Sequence, residues 1–209
     1  HDVNHLAVLA NAYDPDKAFC QELSEGKFSV MEPGLEKLFN ENRHRIRYTS
    51  NPSELTSAAL IFFSLDVKTD ANNRSDLQPL CQRIQSVASH LGCGSTVVLL
   101  SQVAPGFTRK LAGQLLGDGK GRIGSIYYQV ETLIFGQAVE RALHPERYIV
   151  GCADPTLPFP EPYQRWLESF GCPILPMRYE SAELAKISIN FLLVSSVTTS
   201  NTLAELCEK

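Results

Sequence analysis

"STVVLLS", residues 95–101, carries four apolar residues in unbroken succession, Val97 to Leu100, between hydroxyl residues. A strand with one wet face alternates apolar and polar residues, whereas an unbroken run belongs to a strand covered on both faces, as in a parallel sheet between two layers of helices. Six further strand-like runs accompany it: "LAVLANAY" (6–13), "RIRYT" (45–49), "ALIFFSL" (59–65), "SIYYQV" (125–130), "RYIVG" (147–151) and "PILPM" (173–177). Helix-like stretches lie between them. The resulting βαβα order predicts a doubly wound α/β fold with right-handed crossovers. "NPSEL" from position 51 opens one helical stretch, with Asn51 as N-cap, Pro52 at the first helical position and Glu54 at the third, a capping-box variant. Gly26 closes the first helix.

The end of the chain breaks that rhythm. "SAELAKISINFLL" (181–193) is apolar all round a helical wheel, which predicts a helix buried on every side, and the pattern continues to residue 208 as one helix. The expected division is a sheet domain over 1–180 and a long linking helix over 181–209. Lys186 and Asn190 stand in the middle of that helix, four residues apart and hence on one face. From the residues alone two readings stand level: a snorkelling lysine beside a capped polar residue, or a cation and an amide donor aimed at one site.

Composition narrows the function classes. With 209 residues, 44% hydrophobic and 20% charged, the chain is long and apolar enough for a buried core. A net charge of -4, with no basic cluster longer than "RHRIR" (43–47), argues against a nucleic-acid partner. The six cysteines are scattered without a C-x-x-C pair and read as reduced thiols, Cys207 being a packed one, so the expected location is cytoplasmic. Only His1 and His5 have a ligand-like spacing; they read as a terminal segment, and no metal is expected. No run is apolar enough to predict a membrane span.

"GDGKGRIG" (117–124) contains a literal G-x-G-x-x-G at Gly119, Gly121 and Gly124. A pyrophosphate site needs such glycines after a strand and before a helix; here they follow a helix and precede "SIYYQV", so a surface turn is the better reading. "VLANAYDPDK" is more telling, because its strand-like run ends on Asp14. An acidic residue at a strand end can hold the ribose hydroxyls of a dinucleotide. On this stretch alone, the plainer reading of Asp14 is the cap of a helix starting at Pro15.

Four stretches together, "GKFSVMEPGLEKLF" (26–39), "SQVAPGFTRKLA" (101–112), "VETLIFGQAVERALHPERYIVG" (130–151) and "SAELAKISINFLLVSSVTTSNTLAELCEK" (181–209), resemble the UDP-glucose/GDP-mannose 6-dehydrogenase family in order and spacing. The likeness covers nearly the whole chain, and its S-A-E-L-x-K-x-x-x-N core is the most specific part. It implies a Rossmann-like NAD-binding domain followed by a linking helix that pairs two copies into a homodimer. By matching position, Lys186 and Asn190 face the sugar being oxidised. Glu131 takes the place of the glutamate in the family's P-E-F-L motif, implied to activate water or assist proton transfer; it reads otherwise as a cap for a helix near Gly136. Here Val130 replaces the proline of that motif, and Phe135 stands where a second acidic residue belongs.

The resemblance also implies that Asp14 contacts the adenosine ribose, that Ser101 matches the serine of an S-T-V-P-V-G motif, with Gln102 in place of its threonine, and that Thr69 of "LDVKTD" (65–70) lies in a loop over the cofactor. The function it implies is oxidation of a nucleotide sugar at C6 to a carboxylate with two NAD. Two family features are absent from these residues: a strand with a G-x-G-x-x-G turn ahead of Asp14, and a G-G-x-C motif supplying a nucleophilic cysteine. Cys93 in "LGCGS" is no substitute, since it precedes a strand. The chain is accordingly expected to be the cofactor domain and linking helix, without turnover on its own. Two other readings accommodate the same residues: a non-catalytic module kept for dimerisation, and a dehydrogenase of the 6-phosphogluconate or hydroxyacid type. "EPGL" and "HPERYIVG" count against the second.

Overall fold

A computed structural model describes residues 8–72, 75–116 and 122–208. Among them all seven expected strands are present, as β1 (Ala10–Tyr13), β2 (Ile46–Thr49), β3 (Leu60–Phe63), β4 (Ser95–Leu99), β5 (Ile123–Gln129), β6 (Tyr148–Cys152) and β7 (Ile174–Arg178). They form two sheets, β1–β2 and β3–β4–β5–β6–β7. The pairs β1–β2, β3–β4, β4–β5 and β6–β7 are parallel. The β5–β6 pair is antiparallel, which the regular βαβα reading did not anticipate. A short helix after β5 leaves the next strand running back beside it. The glycine patch at 117–121 lies outside the described residues, as do His1 and His5; Gly124 sits inside β5, where its Cα passes close enough to Gly94 that an added Cβ would meet the Gly94 carbonyl oxygen.

The unbroken run in β4 has the cause inferred for it. Val97 and Leu99 point into a core with Leu80, Ile84 and Val87 of α3 (Gln78–Ala88) and Leu111 of α4 (Phe107–Leu116), while Val98 points the other way, against Tyr163 and Leu167 of α6 (Glu161–Glu168). None of the three has accessible surface, and each such burial contributes about 1.5–3 kcal/mol. The second core is aromatic: Phe62, Tyr127, Tyr148, Phe159, Tyr163, Trp166 and Phe170 meet largely edge-on or tilted.

The first helix, α1 (Lys17–Ser24), is capped by Asp16, whose carboxylate accepts from the amides of Ala18 and Phe19. Asp14 is therefore not the cap. Its Oδ1 accepts from the Asp16 amide and so supports the residue that is. Gly26, at φ 79°, ends α1 as expected, with the amides of Gly26 and Lys27 returning to the carbonyls of Leu23 and Glu22. After β2, Asn51 does cap, accepting from the Ser53 amide, but the segment Pro52–Leu55 is a single 3-10 turn. The capping box does not close, because Glu54 turns instead to Arg47 at 2.9 Å. Between β1 and β2 lies α2 (Leu35–Asn42), and between β5 and β6 lies α5 (Ala138–Leu143).

The last helix, α7 (Tyr179–Cys207), is a single element of 29 residues. It is not buried on every side. Tyr179, Ala182 and Glu183 are enclosed, but beyond Ser188 the side chains are exposed, among them Phe191, Leu192, Leu193, Val194 and Leu206. Cys207, expected as a packed thiol, is exposed for the same reason: among the described residues no other element covers that end of the helix. At its start α7 crosses β6 closely. A Cβ on Gly151 would come within 2.9 Å of Ala182 Cβ and 3.1 Å of Tyr179 Cα. Gly151→Val is thus expected to push α7 off the sheet at a cost of about 1–3 kcal/mol, read as a lower urea midpoint with unchanged slope. An unaltered midpoint would mean that the crossing yields freely.

Candidate active site at the carboxyl ends of β4 and β5

In open α/β sheets the place for a ligand is beyond the carboxyl ends of the strands. Two of the singled-out residues, Lys186 and Glu131, come together there, and a third, Asn190, follows Lys186 by one turn of α7. Lys186, half-buried on α7, donates from Nζ to the carbonyl of Leu100, just past β4, at 2.7 Å. Four residues on, Asn190 donates from Nδ2 to Oε1 of Gln102 at 3.2 Å, in the same loop. Glu131 follows β5, next to β4 in the sheet, and its carboxylate accepts from the Thr132 amide.

Lys186 and Glu131 act on one another. Burial pushes the Lys186 ammonium below its ordinary pKa, with Glu131 and then Asp66 pulling it back up. Burial likewise raises the Glu131 carboxyl, opposed by the Thr132 amide and by Lys186. Each charge is half out of water and partly compensated by the other, an arrangement suited to proton transfer. Asn190, by contrast, is exposed, so the expectation of a buried amide fails. Its fixed partner is Gln102, the residue standing where the family has threonine.

Ser101, at the end of β4, is 4% exposed, and its Oγ has no hydrogen-bond partner among the described residues. A buried hydroxyl left unpaired is costly unless something else bonds it. Asp14 sits at the carboxyl end of β1, 3.6 Å from the guanidinium of Arg83. Thr69 is exposed, in a short bridge to Ser75. A cleft of about 1370 Å³ is lined by Asp14 and Glu131, together with Leu100, Gln129 and residues of β1 and β3.

Two glutamates that the sequence reading passed over hold this site in shape. Glu183, with no accessible surface, accepts from the amides of Gly106 at 2.6 Å and Thr108 at 2.7 Å, capping α4 from a residue 75 or more positions away. It thereby pins α7 to the loop after β4. Lys186 and Asn190, three and seven positions further on the same face, are set over Leu100 and Gln102. Glu32 of "EPGL" accepts from the amides of Gly136 and Ala138, and so caps α5. The available signal was the same in both cases: each acid lies inside a stretch already singled out, but its partners are backbone amides distant in sequence, which residue types do not reveal.

Comparison with known proteins identifies the family and the fold. Residues 5–159 match the family described as UDP-glucose/GDP-mannose dehydrogenase family, NAD binding domain. UDP-glucose 6-dehydrogenase YwqF of Bacillus subtilis is 26% identical over 201 residues, spanning 94% of this chain and 45% of that protein. Among solved structures, a GDP-mannose dehydrogenase from Pseudomonas aeruginosa superimposes with a TM-score of 0.79 at 22% identity, covering 93% of this chain and 46% of that one. The UDP-D-ManNAc dehydrogenase of Pyrococcus horikoshii superimposes with a TM-score of 0.82 at 19% identity, covering 95% and 48%. The chain thus spans about half the length of these relatives.

Proposed function

The chain belongs to the UDP-glucose/GDP-mannose dehydrogenase family, through its NAD-binding domain, and from that premise we propose that it is part of an enzyme that oxidises the C6 alcohol of a nucleotide sugar to a carboxylate. The overall change removes four electrons, consumes one water and reduces two NAD. NAD supplies the electron acceptor in each step. Two features of the chain suit it: Asp14, an acceptor at a strand end for ribose hydroxyls, and the buried, unpaired Ser101 hydroxyl beside Lys186's anchor at Leu100.

The observation that carries the reading is the placement of Lys186 over the Leu100 carbonyl just past β4, with Glu131 following the neighbouring strand β5. As an alcohol gives up its C–H electron pair, it must also release the hydroxyl proton, and negative charge gathers on its oxygen. Lys186 spends one of its three donors on Leu100 and has two left for that oxygen; Asn190 adds an amide donor on the same helix face. Glu131, its carboxyl raised by burial, is the group to receive the proton or to take one from attacking water. The exposed apolar flank of α7 serves, in this reading, to pair two copies of the chain.

The assembled protein, supplied with NAD and UDP-glucose, GDP-mannose or another nucleoside-diphosphate sugar, is expected to form two NADH per sugar consumed, followed by absorbance. Formation of NADH from none of them overturns the reading. One NADH per sugar would confine the activity to the alcohol step.

A further inference from the structure

Beside Asp14, at the carboxyl end of β1, α3 places Arg83, the one charged residue in its sequence QPLCQRIQSVA. Leu80, Ile84 and Val87 commit one face of that helix to the core, which leaves Arg83 at the rim of the buried face with its side chain 24% exposed. Its guanidinium lies 6.0 Å from the centroid of the Tyr13 ring, and Tyr13 packs in turn against the core. A cation-π contact thus holds the charge over the last residue of β1. The contact with Asp14 is looser. Arg83 Nη1 comes within 3.6 Å of Asp14 Oδ2, which makes an ion pair but is too long for a hydrogen bond, and Asp14 Oδ1 already accepts from the Asp16 amide at 2.9 Å. A pair built for structure grips both carboxylate oxygens, as Arg109 does with Glu180. Among the described residues Arg83 donates no hydrogen bond, so a fork of five N–H donors stands unspent beside the carboxylate.

We infer that Arg83 is a specificity-determining residue for the cofactor: with Asp14 it reads the 2′ position of the adenosine ribose, the carboxylate accepting from a hydroxyl there and the guanidinium serving a phosphate once the carboxylate's charge is gone. The inference rests on the reading of Asp14 as the ribose acceptor. In dinucleotide-binding folds an acid at such a strand end takes the 2′-hydroxyl of NAD, and an arginine nearby takes the 2′-phosphate of NADP. This chain carries both groups, 3.6 Å apart. While Asp14 is charged, a phosphate brought to the pair meets repulsion from one partner and attraction from the other, and the two offset each other. NAD then prevails through its hydrogen bond to Asp14. Without the Asp14 charge only attraction is left, exerted by a planar fork whose geometry matches phosphate. Lysine at position 83 could not replace it in full, being a point charge without the fork.

NADH and NADPH differ only in the 2′-phosphate, and the emission of the bound nicotinamide gives a dissociation constant for each in the assembled protein, without sugar and without turnover. The wild type is expected to hold NADH more tightly. Asp14→Asn removes the charge but keeps an oxygen for the Asp16 amide, so the turn into α1 survives. It is expected to move the ratio of the two constants toward NADPH by about 10²-fold, roughly tenfold from the weakened ribose bond and tenfold from the phosphate gained. Adding Arg83→Ala to Asp14→Asn should abolish the NADPH part of that shift and leave the NADH part in place. Arg83→Ala alone should weaken NADPH while changing NADH by less than about fivefold, since the partly exposed ion pair contributes little by itself. Three results overturn the inference: a wild type that prefers NADPH, an Asp14→Asn shift that survives Arg83→Ala, or an Arg83→Ala variant that loses both nucleotides equally, which would assign Arg83 to packing or to the phosphates that the two share. A wild type that binds neither nucleotide removes the ribose contact of Asp14 and this inference with it, whereas NADH binding with an immovable ratio removes Arg83 alone.

Discussion

Replacing Lys186 by alanine in the assembled enzyme is expected to lower kcat about 10²- to 10³-fold, the usual loss when one preorganised donor is withdrawn from a developing oxyanion. KM for the sugar should move far less, because the second and third donors of Lys186 are engaged only as charge builds. The pH profile separates this from a packing effect. Lys186 holds the Glu131 carboxyl down against the upward push of burial, so without it the Glu131 pKa rises and the acid limb of kcat moves to higher pH. In Glu131→Gln the converse applies: Lys186 loses the neighbour that raises its pKa, and the basic limb moves to lower pH. A Lys186→Ala enzyme with unchanged kcat and an unmoved acid limb would remove Lys186 from the chemistry.

The same residues show how far sequence alone reaches. Strand positions were legible because double-sided burial leaves a mark in the residues themselves: Val97, Val98 and Leu99 alternate between two cores and so must all be apolar. The antiparallel turn of β6 against β5 left no such mark, since a covered strand has the same composition in either direction. Lys186 and Asn190 were legible as a pair through their spacing, but not their surroundings. An all-round apolar helix implies cover on every side, and in this chain the cover ends near Ser188. Asp14 at the end of β1 was legible by position; that Asp16 caps α1 was not, because both acids lie at plausible cap positions and only backbone direction decides between them. Thr69 was singled out by motif position alone, and it lies exposed in a bridge to Ser75.

Glu183→Ala is expected to cost about 3 kcal/mol of stability, the largest single loss at the junction of α7 with the sheet domain. The carboxylate has no accessible surface and accepts two short amide bonds, from Gly106 and Thr108. Alanine leaves the buried Thr108 amide and the partly buried Gly106 amide without their acceptor, and each charge-assisted bond of this kind is worth roughly 1.5–3 kcal/mol. The nearby ion pair is the natural comparison. Arg109 grips Glu180 through both Nε and Nη2 and stacks 5.3 Å from the Tyr179 ring, and the Glu180 carboxyl is pulled down to about 2 by those hydrogen bonds. Both partners are nevertheless close to half exposed, where solvent screening leaves such pairs worth about 0–1 kcal/mol. Arg109→Ala should therefore barely move the urea midpoint, while Glu183→Ala moves it strongly and accelerates amide exchange at Gly106 and Thr108. Glu183→Gln separates charge from shape: its one carbonyl oxygen can accept from a single amide, and its NH₂ group opposes the other, so its loss should fall between those of the wild type and alanine. If Glu183→Ala and Arg109→Ala lower the midpoint equally, the buried carboxylate is not the anchor, and the placing of Lys186 over Leu100 needs another cause.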